Sequence, residues 1–484
     1  MRHLSRHTLS AVDPGVPTPT YDRGALTPGI VHIGVGGFHR AHQAMYVDRL
    51  MARGAARDWG ISGVGVLPQD RRMKDVLTAQ DGLYTLMVKH PDGSVSPRVI
   101  GSLLDYHLAP DDPERVIERM AAPETSILSL TITEGGYTPD AARATTAPSG
   151  AQPSTVSALV VEALARRRAR GVGPFTVVSC DNIEGNGDAA RRLFCGSARL
   201  RDPALGDWIE EHVRFPSSMV DRITPSTSDE DRSEAGAILG VADAWPVVCE
   251  PFTQWVLEDE FDGRRPPLEE VGVQLVADVR PYELMKLRLL NASHQLMCYL
   301  GYLAGHRHVH EVGQDPLFAR LVARYMDEEA SPTLGPLPGV DVAAYKSTLL
   351  DRFANPTIRD SLARICADTS DRVPVFLLPV VREQLAGDGN VDISALAVAA
   401  WARYAEGIDE QGVPITVVDP LRDRLMSAAA QQATAPLAFL RVTEVFGDLA
   451  EDRRFAEAYV NALSSLHRVG ARRTIEHLLA VSRA

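Results

Sequence analysis

Four short runs in the first 180 residues are apolar almost from end to end: Gly29–Val35 (GIVHIGV), Trp59–Val66 (WGISGVGV), Ser126–Thr133 (SILSLTIT) and Pro174–Cys180 (PFTVVSC). A strand with one wet face alternates apolar and polar residues, whereas a strand buried on both faces does not. Stretches of helical composition, His42–Arg53 and Ser154–Arg170, lie between these runs. Strand–helix–strand order with doubly buried strands predicts an α/β fold, a doubly wound parallel sheet covered on both faces. Two later runs, Gln254–Leu257 and Val273–Ala277, are expected to extend or border that sheet. Past Pro281 the chain turns rich in Ala, Leu and Arg. Ser394–Ala405, Ala435–Phe446 and Arg473–Val481 read there as amphipathic helices. The Pro-rich patch Ser331–Gly339 reads as a surface loop. The expected organisation is a sheet domain over 1–280 and a mostly α-helical domain over 281–484.

Charge and cysteine usage narrow the partners. Lys and Arg number 50 against 63 Asp and Glu, a formal net charge of −13. A nucleic acid or an anionic membrane needs a basic face, so neither is expected as the main partner. The five cysteines, Cys180, Cys195, Cys249, Cys298 and Cys366, are scattered and form no C-x-x-C pair. That argues against a disulfide framework or a structural zinc site and for a reducing cytoplasm. The first twenty residues are polar, without the apolar core of a secretory signal. Nothing in the pattern demands an oligomer, and a monomer is compatible with it.

Gly34, Gly36, Gly37 and Phe38 follow the first apolar run and precede a helical stretch. In a nucleotide fold such glycines let the backbone approach a pyrophosphate at a helix N-terminus. The third glycine of G-x-G-x-x-G is missing, because His39 takes its place. A plain glycine-rich turn is the alternative reading. A dinucleotide site also needs an acid after the second strand. Asp58 precedes that strand, so Asp70 is the candidate; a carboxylate there favours NAD by repelling a 2′-phosphate, although Arg71 and Arg72 stand beside it. A helix N-cap is the other role open to Asp70.

The stretch Pro281–His294 (PYELMKLRLLNASH) carries a concentration of chemistry. On an ideal helix at about 100° per residue, with Lys286 at zero, Glu283 falls near ~60°, His294 near ~80° and Asn291 near ~140°, while Arg288 points away near ~200°. A positioned lysine can serve as general base, and an amide and an imidazole can stabilise a developing alkoxide. A solvated face with an ordinary Glu–Lys pair is the bland alternative.

Taken together, GVGGFHRAHQA (34–44), TITEGGY (131–137), SCDN (179–182), FPSSMVDRITP (215–225), CEPFTQWVLED (249–259) and KLRLLNASH (286–294) resemble the polyol-specific long-chain dehydrogenases and reductases. The likeness is nearest to mannitol 2-dehydrogenases, in a group that also holds arabinitol dehydrogenases and fructuronate and tagaturonate reductases. The resemblance runs in order over most of the chain. It implies an N-terminal Rossmann-like domain, a helical C-terminal domain, an active site between them, NAD as cofactor and no metal. It also implies a polyol–ketose reaction, mannitol to fructose first, with arabinitol or a sugar acid as the alternative substrate.

By the same resemblance Lys286 is the acid/base, and Asn182 and Asn291 stabilise the oxyanion. His294, Asp221 and Arg364 contact substrate. Glu283, and more loosely Glu134, relay protons. Asp70 sets the preference for NAD, with Gln69 replacing an acid that some members carry. One departure stands out: Thr369, Asp371 and Arg372 lie where mannitol enzymes read S-D-G-S-S-K, so Arg372 takes the place of a lysine near the sugar. A planar fork replaces a point charge there.

Two rivals remain at this level. His306, His308, His310 and Glu311 form the only metal-like cluster, as a zinc alcohol dehydrogenase would require. A non-catalytic nucleotide-binding regulator would keep the fold, but the joint presence of Lys286, Asn291, His294 and Asn182 speaks for an enzyme.

Overall fold

The computed structural model describes residues 2–137 and 155–481, so Ser154, the first residue of one expected helix, lies outside the described residues. The chain divides into two compact units, Met1–Arg280 and Pro281–Ala484. The strands of the first unit are β1 (Ile30–Ile33), β2 (Ile61–Gly65), β3 (Tyr84–Lys89), β4 (Val95–Ile100), β5 (Leu103–Leu108), β6 (Ile127–Leu130), β7 (Thr176–Ser179), β8 (Ser218–Asp221), β9 (Val247–Cys249), β10 (Gln254–Glu258) and β11 (Gln274–Val276).

Five of them form an all-parallel sheet in the order β5-β2-β1-β6-β7. The four apolar runs supply β1, β2, β6 and β7. Alternate residues leave the sheet on opposite sides. Val31, Ile33, Leu128, Leu130 and Val177 pack with Val116, Leu159 and Leu193 of three helices in one core. Ile30, Ile61, Ile127 and Val178 pack with Met45, Tyr46 and Leu50 in another. Each fully buried side chain of this size contributes about 1.5–3 kcal/mol, which is why these runs tolerate so few polar residues.

Of the two roles expected for the later runs, extending the sheet fails. β10 and β11 do not extend the main sheet but form a separate one with β8, in the order β11-β10-β8. β8 pairs antiparallel with β10, so the chain must turn back on itself. The helix expected over His42–Arg53 forms as Gln43–Ala52, and a short further helix, Gly37–Ala41, precedes it across a break at His42 (φ −121°, ψ −93°).

The second unit is helical. Its centre is Ala292–Leu303, in which Leu296, Tyr299, Leu300 and Leu303 are buried. Against it pack Pro316–Tyr325, Asp392–Tyr404 and the long C-terminal segment Arg453–Val481, itself interrupted at Gly470 (φ 78°, ψ 175°). Ala435–Phe446 is mostly turns, with only Thr443–Phe446 helical. Pro436 has no N–H to donate and disfavours the helical conformation for Ala435 before it. Among the described residues no helix is long and apolar enough to cross a membrane. All five cysteines are free thiols and buried.

Two stretches of this unit are π-helical, Lys286–Asn291 and Met326–Ala330. Glu329 in the second is fully buried and caps Asp392–Tyr404 by accepting the N–H groups of Ile393 at 2.7 Å and Ser394 at 2.9 Å. Burial outweighs these bonds and pushes its carboxyl up from 4.5 to about 7. Between those two values the folded protein holds a proton that the unfolded chain has released, so stability should fall as pH rises towards 7 and level off above it. Glu329→Gln should flatten that slope in thermal unfolding followed across the window. An unchanged slope would place its origin elsewhere.

Candidate active site

In the first unit the glycines divide their work. Gly34 has φ +97°, and a Cβ on it would stand 2.0 Å from the carbonyl oxygen of Thr131. Thr131 Oγ1 also donates to the Gly34 carbonyl at 2.7 Å. Only glycine fits so close an approach between the ends of β1 and β6. Around Gly36 and Gly37 there is room: an added Cβ would meet nothing nearer than 3.8 Å and 3.5 Å respectively. The first glycine serves the turn, and the other two leave the backbone open to a ligand.

The missing third glycine has a physical replacement. His39 stacks on His32 of β1, with ring centroids 3.5 Å apart and planes 14° from parallel. Helix and strand meet through two flat rings instead of through a glycine. Burial holds both imidazoles neutral, that of His32 lowered to about 3 and that of His39 well below its ordinary value. Phe38 stacks on His42 at 4.9 Å. Much of the remaining motif sequence is fastening. Arg40 donates to the Trp245 carbonyl at 2.5 Å, and Arg222 donates to the carbonyls of Ala41 at 2.6 Å and Glu250 at 3.0 Å.

Asp70 lies just beyond the C-terminal end of β2, in a short turn before the helix Arg71–Ala79. Its Oδ2 accepts the N–H groups of Val66 and Leu67, both at 2.9 Å, which leaves Oδ1 able to face a ligand. It makes no cap bond to the helix. The neighbouring cations are occupied: Arg71 is paired with Asp111 at 3.1 Å, and Arg72 lies over the Trp245 ring at 4.8 Å. Asp58, at the other end of β2, is paired with Arg264.

Asn182 follows the end of β7 in a loop pinned on both sides. Asp181 before it accepts three hydrogen bonds from the Thr131–Tyr137 segment. Asn186 after it donates to the carbonyls of Asp181 (3.0 Å) and Ser218 (2.7 Å) and accepts from the Ser218 N–H (2.9 Å). β8 is thereby tied to the same loop. Asp221, the buried last residue of β8, stands opposite Gln254 of β10. Glu134 opens a short 3-10 turn, and its side chain lies outside the described structure. Sequence reasoning missed Asp181 and Asn186. Asp181 lies within the quoted SCDN run and Asn186 just past it, but spacing alone does not separate a buried clamp from a turn residue.

In the second unit the ideal-helix projection needs correction. The helix Arg280–Met285 passes into a π-helix over Lys286–Asn291 before Ala292–Leu303 resumes α geometry. The Ala292 N–H bonds to the Leu287 carbonyl, five residues back. An i→i+5 turn gives Lys286 and Asn291 the relation that an i, i+4 pair has on an ordinary helix. Their side chains therefore share a face more closely than the ~140° of a regular helix. His294 follows three residues on, its ring 4.9 Å from that of Phe353. Glu283, Lys286 and His294 are buried. The Asn291 Oδ1 is also buried and has no hydrogen-bond partner among the described residues. Such an atom costs about 1–3 kcal/mol unless a ligand or water meets it.

Arg288 does point away. It donates to Glu383 (2.6 and 2.8 Å) and to the Thr333 carbonyl (2.5 Å), while its own carbonyl accepts from Tyr325 at 3.3 Å. The helices bearing Arg364 and Arg372 pack against Ala292–Leu303, and the second also meets the π segment. Arg364 is paired bidentately with buried Asp360 at 2.6 and 2.8 Å. Arg372 reaches the Arg364 and Ile365 carbonyls at 3.5 and 3.4 Å and lies 4.0 Å from Asp368. The histidine cluster does not converge: His308 joins Glu311 in capping a helix, and His306 faces Asp315 at 3.6 Å.

A Rossmann domain with its glycine turn where the strand order reverses, followed by a helical domain carrying a lysine on a widened turn, is the build of a two-domain dehydrogenase. The chain belongs to the mannitol dehydrogenase family. Residues 28–270 match the mannitol dehydrogenase Rossmann domain, and residues 278–467 match the mannitol dehydrogenase C-terminal domain. It is 48% identical to a mannitol 2-dehydrogenase of Phaeosphaeria nodorum, across 98% of this chain and 85% of that one. With a mannitol 2-dehydrogenase of Aspergillus fumigatus it shares 45% over 95% of each chain. Among solved structures, the Pseudomonas fluorescens mannitol 2-dehydrogenase, in ternary complex with NAD and D-mannitol, superposes with a TM-score of 0.91 at 44% identity over 99% of both chains. A D-sorbitol dehydrogenase in substrate-free form gives 0.88 at 37% identity, over 98% of this chain and 100% of that one.

The two kinds of glycine give opposite expectations. Gly34→Ala forces a Cβ onto Thr131 at a positive φ and should cost more than about 1 kcal/mol of stability. Gly36→Ala should leave the melting temperature nearly unchanged yet weaken NADH binding, read by fluorescence titration. A Gly36→Ala protein that binds NADH as tightly as wild type would remove this turn from the cofactor site.

Proposed function

We propose that this protein is an NAD-dependent polyol dehydrogenase that oxidises D-mannitol to fructose without a metal. The observation that carries the reading is the π turn, which sets Lys286 and Asn291 on one face of a buried helix with His294 beside them. The family membership and the relatives' own activity support the same substrate. Bound NAD would accept the hydride released from the carbinol carbon.

The chain's residues handle the proton and the charge. Lys286, neutral, takes the hydroxyl proton, and Glu283 helps pass it to solvent. The carboxamides of Asn182 and Asn291 donate to the oxygen as it becomes an alkoxide, the charge that preorganised donors stabilise most. His294 orients the neighbouring hydroxyl, and Asp221, Arg364 and Arg372 engage the rest of the polyol. Gly34, Gly36, Gly37 and Phe38 form the cofactor turn. Asp70 receives the ribose hydroxyls, and with Arg71 already paired to Asp111, less positive charge is left for a 2′-phosphate. The free thiols fit a reducing cytoplasm.

Charge at the far end of the substrate favours a neutral polyol over a sugar acid. Arg364 is already neutralised by Asp360, and Arg372 has Asp368 nearby. A substrate carboxylate would have to compete with both. NADH formation should therefore appear with mannitol, and more weakly with other polyols. NADP should be the poorer cofactor, and a chelator should leave the rate unchanged. Activity on aldonates alone would overturn the assignment. Asn291→Ala should lower kcat by about 10²–10³-fold, and a near-normal kcat would remove Asn291 from the oxyanion site.

A further inference from the structure

β6 lies next to β1, where the strand order reverses and ligands of such sheets bind. Its C-terminal end runs into the Thr131–Tyr137 segment, and one residue there is strained. Thr133 has φ +62°, in the left-handed region that a β-branched residue seldom enters. Glycine would be the default for such a position, and two glycines, Gly135 and Gly136, stand just beyond it.

What holds Thr133 there is Asp181. The Thr133 N–H donates to Asp181 Oδ1 at 2.8 Å, and the Ile132 N–H donates to Oδ2 at 3.1 Å. The Tyr137 hydroxyl donates to Oδ2 at 2.6 Å and also lies 2.8 Å from Ser179 Oγ. Asp181 is 7% exposed, and its backbone is fixed as well, through Ser179 Oγ and Asn186. A carboxylate is an acceptor on every side and can take three donors; an amide of the same size presents a donor on one side and cannot. The next residue in the chain is Asn182.

We propose that Asp181 is a positioning residue: its carboxylate holds Thr133 in the left-handed conformation and, through the shared backbone, aims Asn182. The end of β6 and the oxyanion donor then form one rigid piece. This rests on the role given to Asn182 above. Strain persists only where surrounding structure over-determines it, and it gathers at functional sites. Removing the clamp should let Thr133 relax, displacing the loop that carries Asn182, and displacements of about 1 Å can cost up to ~10²-fold in rate.

The test compares Asp181→Asn, Thr133→Gly and the double variant for thermal midpoint and for kcat and KM in mannitol oxidation. Asp181→Asn should lower the midpoint and reduce kcat by about 10- to 100-fold. Thr133→Gly, which suits the left-handed region, should recover part of both losses in the Asp181→Asn background while giving no such gain in wild type. If Asp181→Asn does not fold, Tyr137→Phe removes one donor only. It should reduce kcat by a smaller factor, again with partial recovery on adding Thr133→Gly. Strictly additive effects on midpoint and kcat would overturn the proposal, as would a kcat that neither variant lowers. A wild type inactive on every polyol would defeat the functional reading instead, and the midpoints would still decide whether Asp181 holds the strained turn.

Discussion

The turn that carries Lys286 and Asn291 depends on a displaced hydrogen-bond register, as in the bond from the Ala292 N–H to the Leu287 carbonyl. An α-helix would make this bond to Arg288. Moving it back by one residue widens the turn, so that Lys286 and Asn291 lie over one another. A wide turn has poorer bonding geometry, and the surrounding structure offsets that cost. Tyr325 donates to the Arg288 carbonyl, and the Arg288 guanidinium is anchored on Thr333 and Glu383. Met326–Ala330, the second π segment, packs against the first. The wide turn is thus braced by polar contacts as well as by the packing of neighbouring helical segments.

The first unit is governed by a close approach of similar consequence. Gly34 meets the Thr131 carbonyl where no side chain fits, which locks the ends of β1 and β6 together. The remaining polar contacts radiate from that point. His32 bonds to Ser129 and Thr131 and stacks on His39, Asp181 gathers the end of β6, and Asn186 ties the next loop to β8.

The parallel sheet was legible because β1, β2, β6 and β7 are buried on both faces and their sequences carry that burden directly. β3, β4 and β5 were not, since partly exposed strands such as Val95–Ile100 mix polar and apolar residues without a clean period. The grouping of β8 with β10 and β11 depends on long-range pairing that no local pattern encodes. Lys286, Asn291 and His294 stood out in the sequence, but the projection that grouped them assumed a regular helix. A one-residue change in hydrogen bonding leaves no mark on hydrophobic periodicity. Asp181 stayed hidden because its importance lies in partners some 50 residues earlier in the chain. Ala435–Phe446 shows the reverse error, where composition outweighed a single proline.

The central claim is that Lys286 is the base, and replacing the missing amine tests it most directly. Lys286→Ala should bind NADH nearly as wild type does and lose about 10²–10⁴-fold in kcat. Part of that loss should return in proportion to an added small primary amine, with an efficiency that follows the amine's basicity. A folded Lys286→Ala enzyme with near-normal turnover, or one whose deficit no amine of any basicity relieves, would contradict the account.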